Sequence, residues 1–295
     1  MTTTYSTITD STYGSSPVKR HRRTNAELEA IDTAIIAAVA EDNPVSLRGV
    51  YYRVVSAGAV PKTVAAYKLV GRQLMKLRQA GVVPYRHIVD GTRYVRRPTT
   101  FTDLEDVLYH TANTYRRALW SDQAAEVHIF TEKDAIVGVI DRVCREWDVP
   151  LGVLRGYCSE SFAHEMGEVV SASKKPVFIY QLGDHDPSGI GAWEDFQKKV
   201  HRFAPSAEVI FERLAVTPEQ ITSMGLETRP TKREDPRAKN FDGESVEVDA
   251  IRAPILRQLV ADAVVQHVDQ RKLSVLMTVE EQEREVLTGY WRQNT

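Results

Sequence analysis

Cysteine is nearly missing from this chain of 295 residues: only Cys144 and Cys158 are present. Two cysteines make neither a disulfide framework nor a set of zinc ligands, so an intracellular, reducing compartment is expected. Long apolar runs are lacking too. The longest, AIIAAVA from Ala34 to Ala40, is far too short to span a bilayer, and no membrane association is expected. The opening stretch MTTTYSTITDSTYGSS has no apolar segment of the kind a secretory signal needs, and it reads as a polar tail. No glycine-rich phosphate loop of the GxxxxGK[ST] type occurs, which leaves the chain without a recognisable ATPase motif.

What is present is unevenly charged. Residues 1–100 hold 15 Lys and Arg against 7 Asp and Glu, whereas the remainder holds 23 against 33. A basic front half on an acidic back half points to a polyanionic partner for the front. That half begins with a cationic arm, PVKRHRR, and continues as three helical patterns. The first is NAELEAIDTAIIAAVAED, capped by Thr24 or Asn25 and stopped near Asn43-Pro44. The second is LRGVYYRVVS after Ser46, stopped at Gly58. In the third, KTVAAYKLVGRQLMKLRQAG, Lys68, Arg72 and Lys76 recur every four residues, opposite Tyr67, Val70, Leu74 and Leu77. Strand-like segments around Asp90-Gly91 follow, carrying Arg86, Arg93, Arg96 and Arg97. Three helices and a basic hairpin form the pattern of a winged helix, so residues 25–98 are expected to bind double-stranded DNA. Within the second helix, spacing puts Tyr51 on the apolar side and Tyr52 on the polar side, one turn from Arg48. A phenol titrating near ~10 is a poor nucleophile. A guanidinium close by favours the phenolate and holds phosphate oxygens. Alone, such a pair is more often structural than catalytic.

From Glu126 onward, strands and helices alternate: VHIFTE, PLGVLRGYCS, PVFIYQLGDHD and AEVIFERLAV, each of the first three followed by a helical stretch. That order predicts a mostly parallel α/β sheet with its sites at the carboxyl ends of the strands. Glu132 ends the first strand, and Asp184 and Asp186 follow the third. Three carboxylates at one edge repel unless one is protonated or a cation lies between them, and such hard oxygens suit Mg²⁺. The competing reading is a polar turn capping the next helix.

TEKDA (Thr131 to Ala135) together with GDHDPSG (Gly183 to Gly189) resembles a Toprim domain, the Mg²⁺-binding fold of topoisomerases, bacterial primases and certain nucleases. LRGVYYRVV resembles the active-site segment of the topoisomerase VI A subunit and of the meiotic double-strand-break transesterase. The chain is most similar to compact stand-alone A-type proteins of mobile elements. The resemblance spans roughly residues 25–270. It implies that Tyr52 is the nucleophile, assisted by Arg48, and that Glu132, Asp184 and Asp186 hold Mg²⁺. It further implies DNA cleavage and religation through a 5′-phosphotyrosine in a homodimer, the chemistry of a type II topoisomerase A subunit.

The expected organisation is a tail (1–24), a winged helix (25–98), a connecting helix (99–125) and a Toprim domain with a helical C-terminal extension (126–295). Lys232, Arg233, Arg237 and Lys239, in the RPTKREDPRAKN stretch, are further DNA-contact candidates. Strand passage is not expected from this chain alone, and whether a separate ATPase subunit joins it stays open. A cytoplasmic, nucleoid-associated location follows from the DNA reading. Two alternatives remain: a metal-dependent hydrolytic nuclease, and a DNA-binding protein that keeps the fold without cutting.

Overall fold

The computed structural model describes residues 23–89, 98–230, 241 and 243–293. It is a mixed α/β structure with parallel sheets. None of its described helices is long and apolar enough to cross a membrane.

The first three helices form where the caps are. Thr24 starts α1 (Asn25–Asp42) with a capping box, accepting from Glu27 N while the Glu27 carboxylate accepts from Thr24 N. Ser46 caps α2 (Leu47–Ser56) and Thr63 caps α3 (Val64–Gln79) in the same way, one side-chain oxygen on one free amide. Lys68, Arg72 and Lys76 lie exposed along α3, while Val70 and Leu74 are buried, as their spacing requires. Beyond α3, Arg86 is exposed as well. Two short strands tie this unit together: β1 (Val45–Ser46) pairs in parallel with β2 (Ile88–Val89). β2 is the outgoing part of the expected basic hairpin. The return part, with Arg93, Arg96 and Arg97, lies outside the described residues, as do Lys232, Arg233, Arg237 and Lys239.

After α4 (Leu104–Thr114), the chain builds a four-stranded parallel sheet from β3 (Glu126–Thr131), β4 (Leu151–Val153), β5 (Val177–Leu182) and β6 (Val209–Ala215), in the order β4-β3-β5-β6. Helices α5 (Asp134–Glu146), α6 (Glu160–Ala172) and α7 (Pro187–Phe203) join successive strands. Alternation along the strands divides the core. Val127, Ile129, Tyr180 and Leu182 point to one face; Phe130, Val177 and Ile179 point to the other, against the α6 and α7 side chains Met166, Trp193 and Phe196. The first face packs on α5 and on α9 (Ala253–Val265), and its apolar cluster runs on without a break into α1, α2 and α3. A short α8 (Pro218–Met224) follows β6. The final helix, α10 (Gln270–Gln293), packs against α4, where the Tyr115 hydroxyl donates to Glu283 at 2.7 Å.

Among the contacts that join the N-terminal unit to the sheet and its helices, one is especially tight. Gly138 of α5 faces Val89 so closely that an added Cβ would sit 2.6 Å from the valine Cβ. Alanine normally stabilises a helix interior by about 1 kcal/mol relative to glycine. Gly138→Ala is nevertheless expected to lower stability by about 1–3 kcal/mol through overpacking. Gly289→Ala, in open space on α10, serves as the control and should be neutral or slightly stabilising. Thermal melts of the two variants beside the parent chain check this, and a Gly138→Ala protein that melts higher would contradict it.

Candidate functional site

The switch in strand order falls between β3 and β5, where a parallel sheet opens a crevice at its carboxyl edge. Thr131 pairs with Leu182, so the next residues, Glu132 and Gly183, are neighbours and Asp184 lies one further on. The Glu132 amide donates to the Leu182 carbonyl at 3.0 Å, and the Asp184 amide donates to Glu132 Oε2 at 2.8 Å. Glycine is needed opposite this pair: a Cβ on Gly189 would meet the Asp184 carbonyl oxygen at 2.6 Å and Glu132 Oε2 at 2.8 Å. The juxtaposition of Glu132 with Asp184 thus follows directly from the parallel register.

Burial, reinforced by the Asp184 charge, pushes the Glu132 carboxyl above the usual carboxylate range. Burial also raises Asp184, although Lys133 pulls in the opposite direction. Lys133 is the main local counterion. Its ammonium lies 2.9 Å from Asp184 Oδ1 and 2.8 Å from Asp249 Oδ2. Burial favours its neutral form, but Asp249 and Asp184 outweigh that and hold it above the ordinary lysine value. The second Asp184 contact is backbone: the Val248 amide donates to Oδ1 at 2.9 Å. Asp249 Oδ1 accepts from the Ser46 hydroxyl at 2.7 Å. The N-cap of α2 is therefore bonded to the acidic cluster at the sheet edge.

Asp186 behaves differently. Its Oδ1 caps α7 by accepting from Gly189 N at 2.8 Å, and its Oδ2 lies 3.3 Å from Arg229 Nη2. Among the described residues, no group of three acidic, histidine or cysteine side chains is gathered as a ligand set. Glu132 and Asp184 do fit a divalent cation: they are hard oxygen donors, adjacent, half-buried and mutually repelling. Mg²⁺ commonly binds with one or two carboxylates and several waters. Asp186 as it stands belongs to the helix cap.

Arg48 and Tyr52 lie on α2, one helical turn apart, but they meet different surroundings. Arg48 shares a cleft of about 820 Å³ with Glu132, Lys133, Asp184, Arg155 and Arg78. Tyr52 lines a separate cavity of about 190 Å³ together with Arg53, Ser56 and Leu226. The expectation that Tyr52 stands on a polar, solvent-facing side is corrected here, since the residue is only 6% exposed. The 3₁₀ turn Val248–Ala250 packs onto α2, and its Asp249 and Ala250 line one cavity with Tyr52, while Arg48 and Ser56 on the same helix stay open to water. Lys62 Nζ stands 5.2 Å from the centre of the Tyr52 ring. Burial, then the Glu247 charge, drives the phenol well above its ordinary value; Arg48 favours the phenolate, as expected, but is outweighed. Arg48 itself donates to Glu247 Oε2.

Glu247 and Asp249 are thus site residues that motif reading passed over. Both are buried acids in the apolar stretch SVEVDAI, where an unpaired carboxylate is unfavourable, and that context was the available signal. Lys133 stands within TEKDA and is likewise a site residue. No protein-family model matches this chain, and no curated protein matches it either.

The pKa directions define a pH test. Unfolded carboxylates titrate near about 4. Because Glu132 and Asp184 are raised in the fold, the native state binds protons that the unfolded chain has released. Their contribution to stability therefore falls as pH rises from that point through the folded values. A divalent cation competes with those protons, so its stabilising effect should grow over the same window. Added Mg²⁺ or Mn²⁺ is expected to raise the melting temperature by about 2–5 °C at pH 8 and by almost nothing near pH 4.5. Glu132→Gln should melt higher than the parent without metal and lose the cation effect. A cation shift that survives Glu132→Gln would contradict this assignment.

Proposed function

We propose that this chain is a winged-helix and Toprim protein that cuts DNA by metal-assisted transesterification, with Tyr52 as nucleophile. The observation that carries the reading is the cleft in which Arg48 faces Glu132 and Asp184, with Tyr52 one turn further along the same helix. The exposed row Lys68, Arg72 and Lys76, with Arg86 beyond it, supports a phosphate backbone as the partner. The likeness of LRGVYYRVV and GDHDPSG to the topoisomerase VI A subunit family supports the assignment of roles.

In this mechanism the Tyr52 oxygen attacks a backbone phosphorus. The new Tyr–O–P bond replaces the P–O3′ bond, the phenol proton is released, and the departing 3′ oxygen takes up a proton. One phosphoester replaces another, so no nucleotide is consumed and religation is the reverse step. Mg²⁺ held by Glu132 and Asp184 would supply charge neutralisation at the scissile phosphate. Arg48 orients a phosphate oxygen, and Lys133 opposes the upward pull of burial on Asp184. Tyr52 is buried and its phenol raised, so the contact between α2 and residues 247–250 must loosen before attack. Cutting both strands requires two copies of the chain, hence a homodimer.

The burial of Tyr52 favours a second reading, hydrolysis by metal-activated water with no covalent intermediate. A denaturing-gel assay with Mg²⁺ or Mn²⁺ separates the two. Wild type should leave a protein–DNA adduct, Tyr52→Phe should reduce adduct and cleavage by at least 10²-fold, and Asp184→Ala should do the same. Undiminished cutting by Tyr52→Phe would establish the hydrolytic reading instead. Salt-dependent binding of duplex with no cutting under any cation would point to a protein that only binds.

A further inference from the structure

We propose that Arg48 and Arg229 form a seat for one phosphodiester group, and that Glu247 of the same chain fills this seat when no nucleic acid is bound. The Glu247 carboxylate is gripped at both oxygens: Arg48 Nη1 donates to Oε2, and Arg229 Nη1 donates to Oε1 at 2.9 Å. The two guanidiniums come from distant parts of the chain, α2 and the stretch after α8. Both remain open to water, at 43% and 41% side-chain exposure, while the carboxylate between them is 6% exposed. Two accessible cations thus enclose one sequestered anion. A guanidinium recognises carboxylate and phosphate oxygens by the same forked geometry, so a seat made for one accepts the other.

The position of this seat relates it to the rest of the site. Arg48 lies one helical turn from Tyr52 on α2, and the Glu247 charge acts on the Tyr52 phenol, so the seat lies on the Tyr52 side of the site. Arg229 also reaches Asp186 Oδ2 at 3.3 Å, next to the sheet-edge carboxylates. Glu247 is followed by Val248, whose amide holds Asp184 Oδ1. Withdrawal of Glu247 therefore pulls on the backbone that positions Asp184. Phosphate entry, cation-site geometry and exposure of Tyr52 are coupled through this one residue. Arg229 accordingly becomes a second phosphate-binding residue.

That the phosphodiester belongs to DNA rests on the function proposed above; the anion chemistry of the seat does not. Removing the Glu247 charge leaves two guanidiniums that water can solvate, so Glu247→Gln is expected to fold. Fluorescence anisotropy with a short labelled duplex, read across a range of salt, should show Glu247→Gln binding about tenfold more tightly than wild type. Its log–log salt slope should be steeper by about one, the contribution of one added phosphate contact. Inorganic phosphate should raise the melting temperature of Glu247→Gln but not of wild type. Arg229→Gln in the Glu247→Gln background should reverse both effects.

A folded Glu247→Gln that binds duplex no more tightly than wild type and ignores phosphate would overturn the seat, while duplex binding by wild type would leave the DNA reading intact. Conversely, if phosphate stabilises Glu247→Gln selectively but neither protein binds duplex, the seat stands and the DNA reading falls. Should Glu247→Gln fail to fold, single Arg48→Gln and Arg229→Gln variants decide. Each is expected to bind duplex at least threefold more weakly than wild type, and unchanged binding by both overturns the seat.

Discussion

The Lys133 ammonium, held between Asp184 and Asp249, is the interaction on which the rest of the arrangement depends. Asp184 ends the central strand region and Asp249 lies on the turn that covers α2, so one cation joins the sheet edge to the helix carrying Arg48 and Tyr52. Asp249 extends the link through the Ser46 hydroxyl, which also caps that helix. Removing the lysine leaves two carboxylates with little water to solvate them, a loss of about 3–5 kcal/mol for buried pairs in general. Here Lys133 is a quarter exposed, which places the loss toward or below the lower end of that range.

The same cluster carries an electrostatic strain that makes functional sense. Glu132 and Asp184 are both half-buried and both held above their ordinary titration range. A protein selected for stability alone would not place two acids side by side at the end of a buried strand. Such a pair is unfavourable until a cation, a proton or a lysine compensates it, and perturbed acids in a cleft mark functional sites. Lys133 supplies part of that compensation, and Glu132 remains the less satisfied member. Around the pair, Arg48, Arg229 and Glu247 form a second layer in which cations and anions alternate, leaving few charges without a nearby opposite.

Much of this was readable in the chain itself. Thr24 and Ser46 announced the first two helices, because a side-chain oxygen before an amphipathic run satisfies a free amide wherever it occurs. Glu132 beside Asp184 was legible because parallel strands end on one edge. The burial of Tyr52 was not, since helical periodicity sorts residues into faces but does not say what packs beside each position. The segment packed there, around Val248, lies about two hundred residues away in the chain and has no periodicity of its own. Asp186 illustrates a different limit. Metal ligation and helix capping use the same carboxylate before the same Pro-Ser-Gly turn, and only the contacts to Gly189 and Arg229 reveal the cap. Glu247 carried no motif at all. Its role emerges from being a buried acid met by two arginines.

We propose that Glu132 and Asp184 form a divalent-cation site at the sheet edge. Titration with Mn²⁺ followed by electron paramagnetic resonance tests it most directly, because free and protein-bound ions are counted separately. One bound ion per chain is expected, displaced by excess Mg²⁺ and lost in Asp184→Asn. Absence of binding at millimolar Mn²⁺, or binding that Asp184→Asn leaves unchanged, would contradict the account.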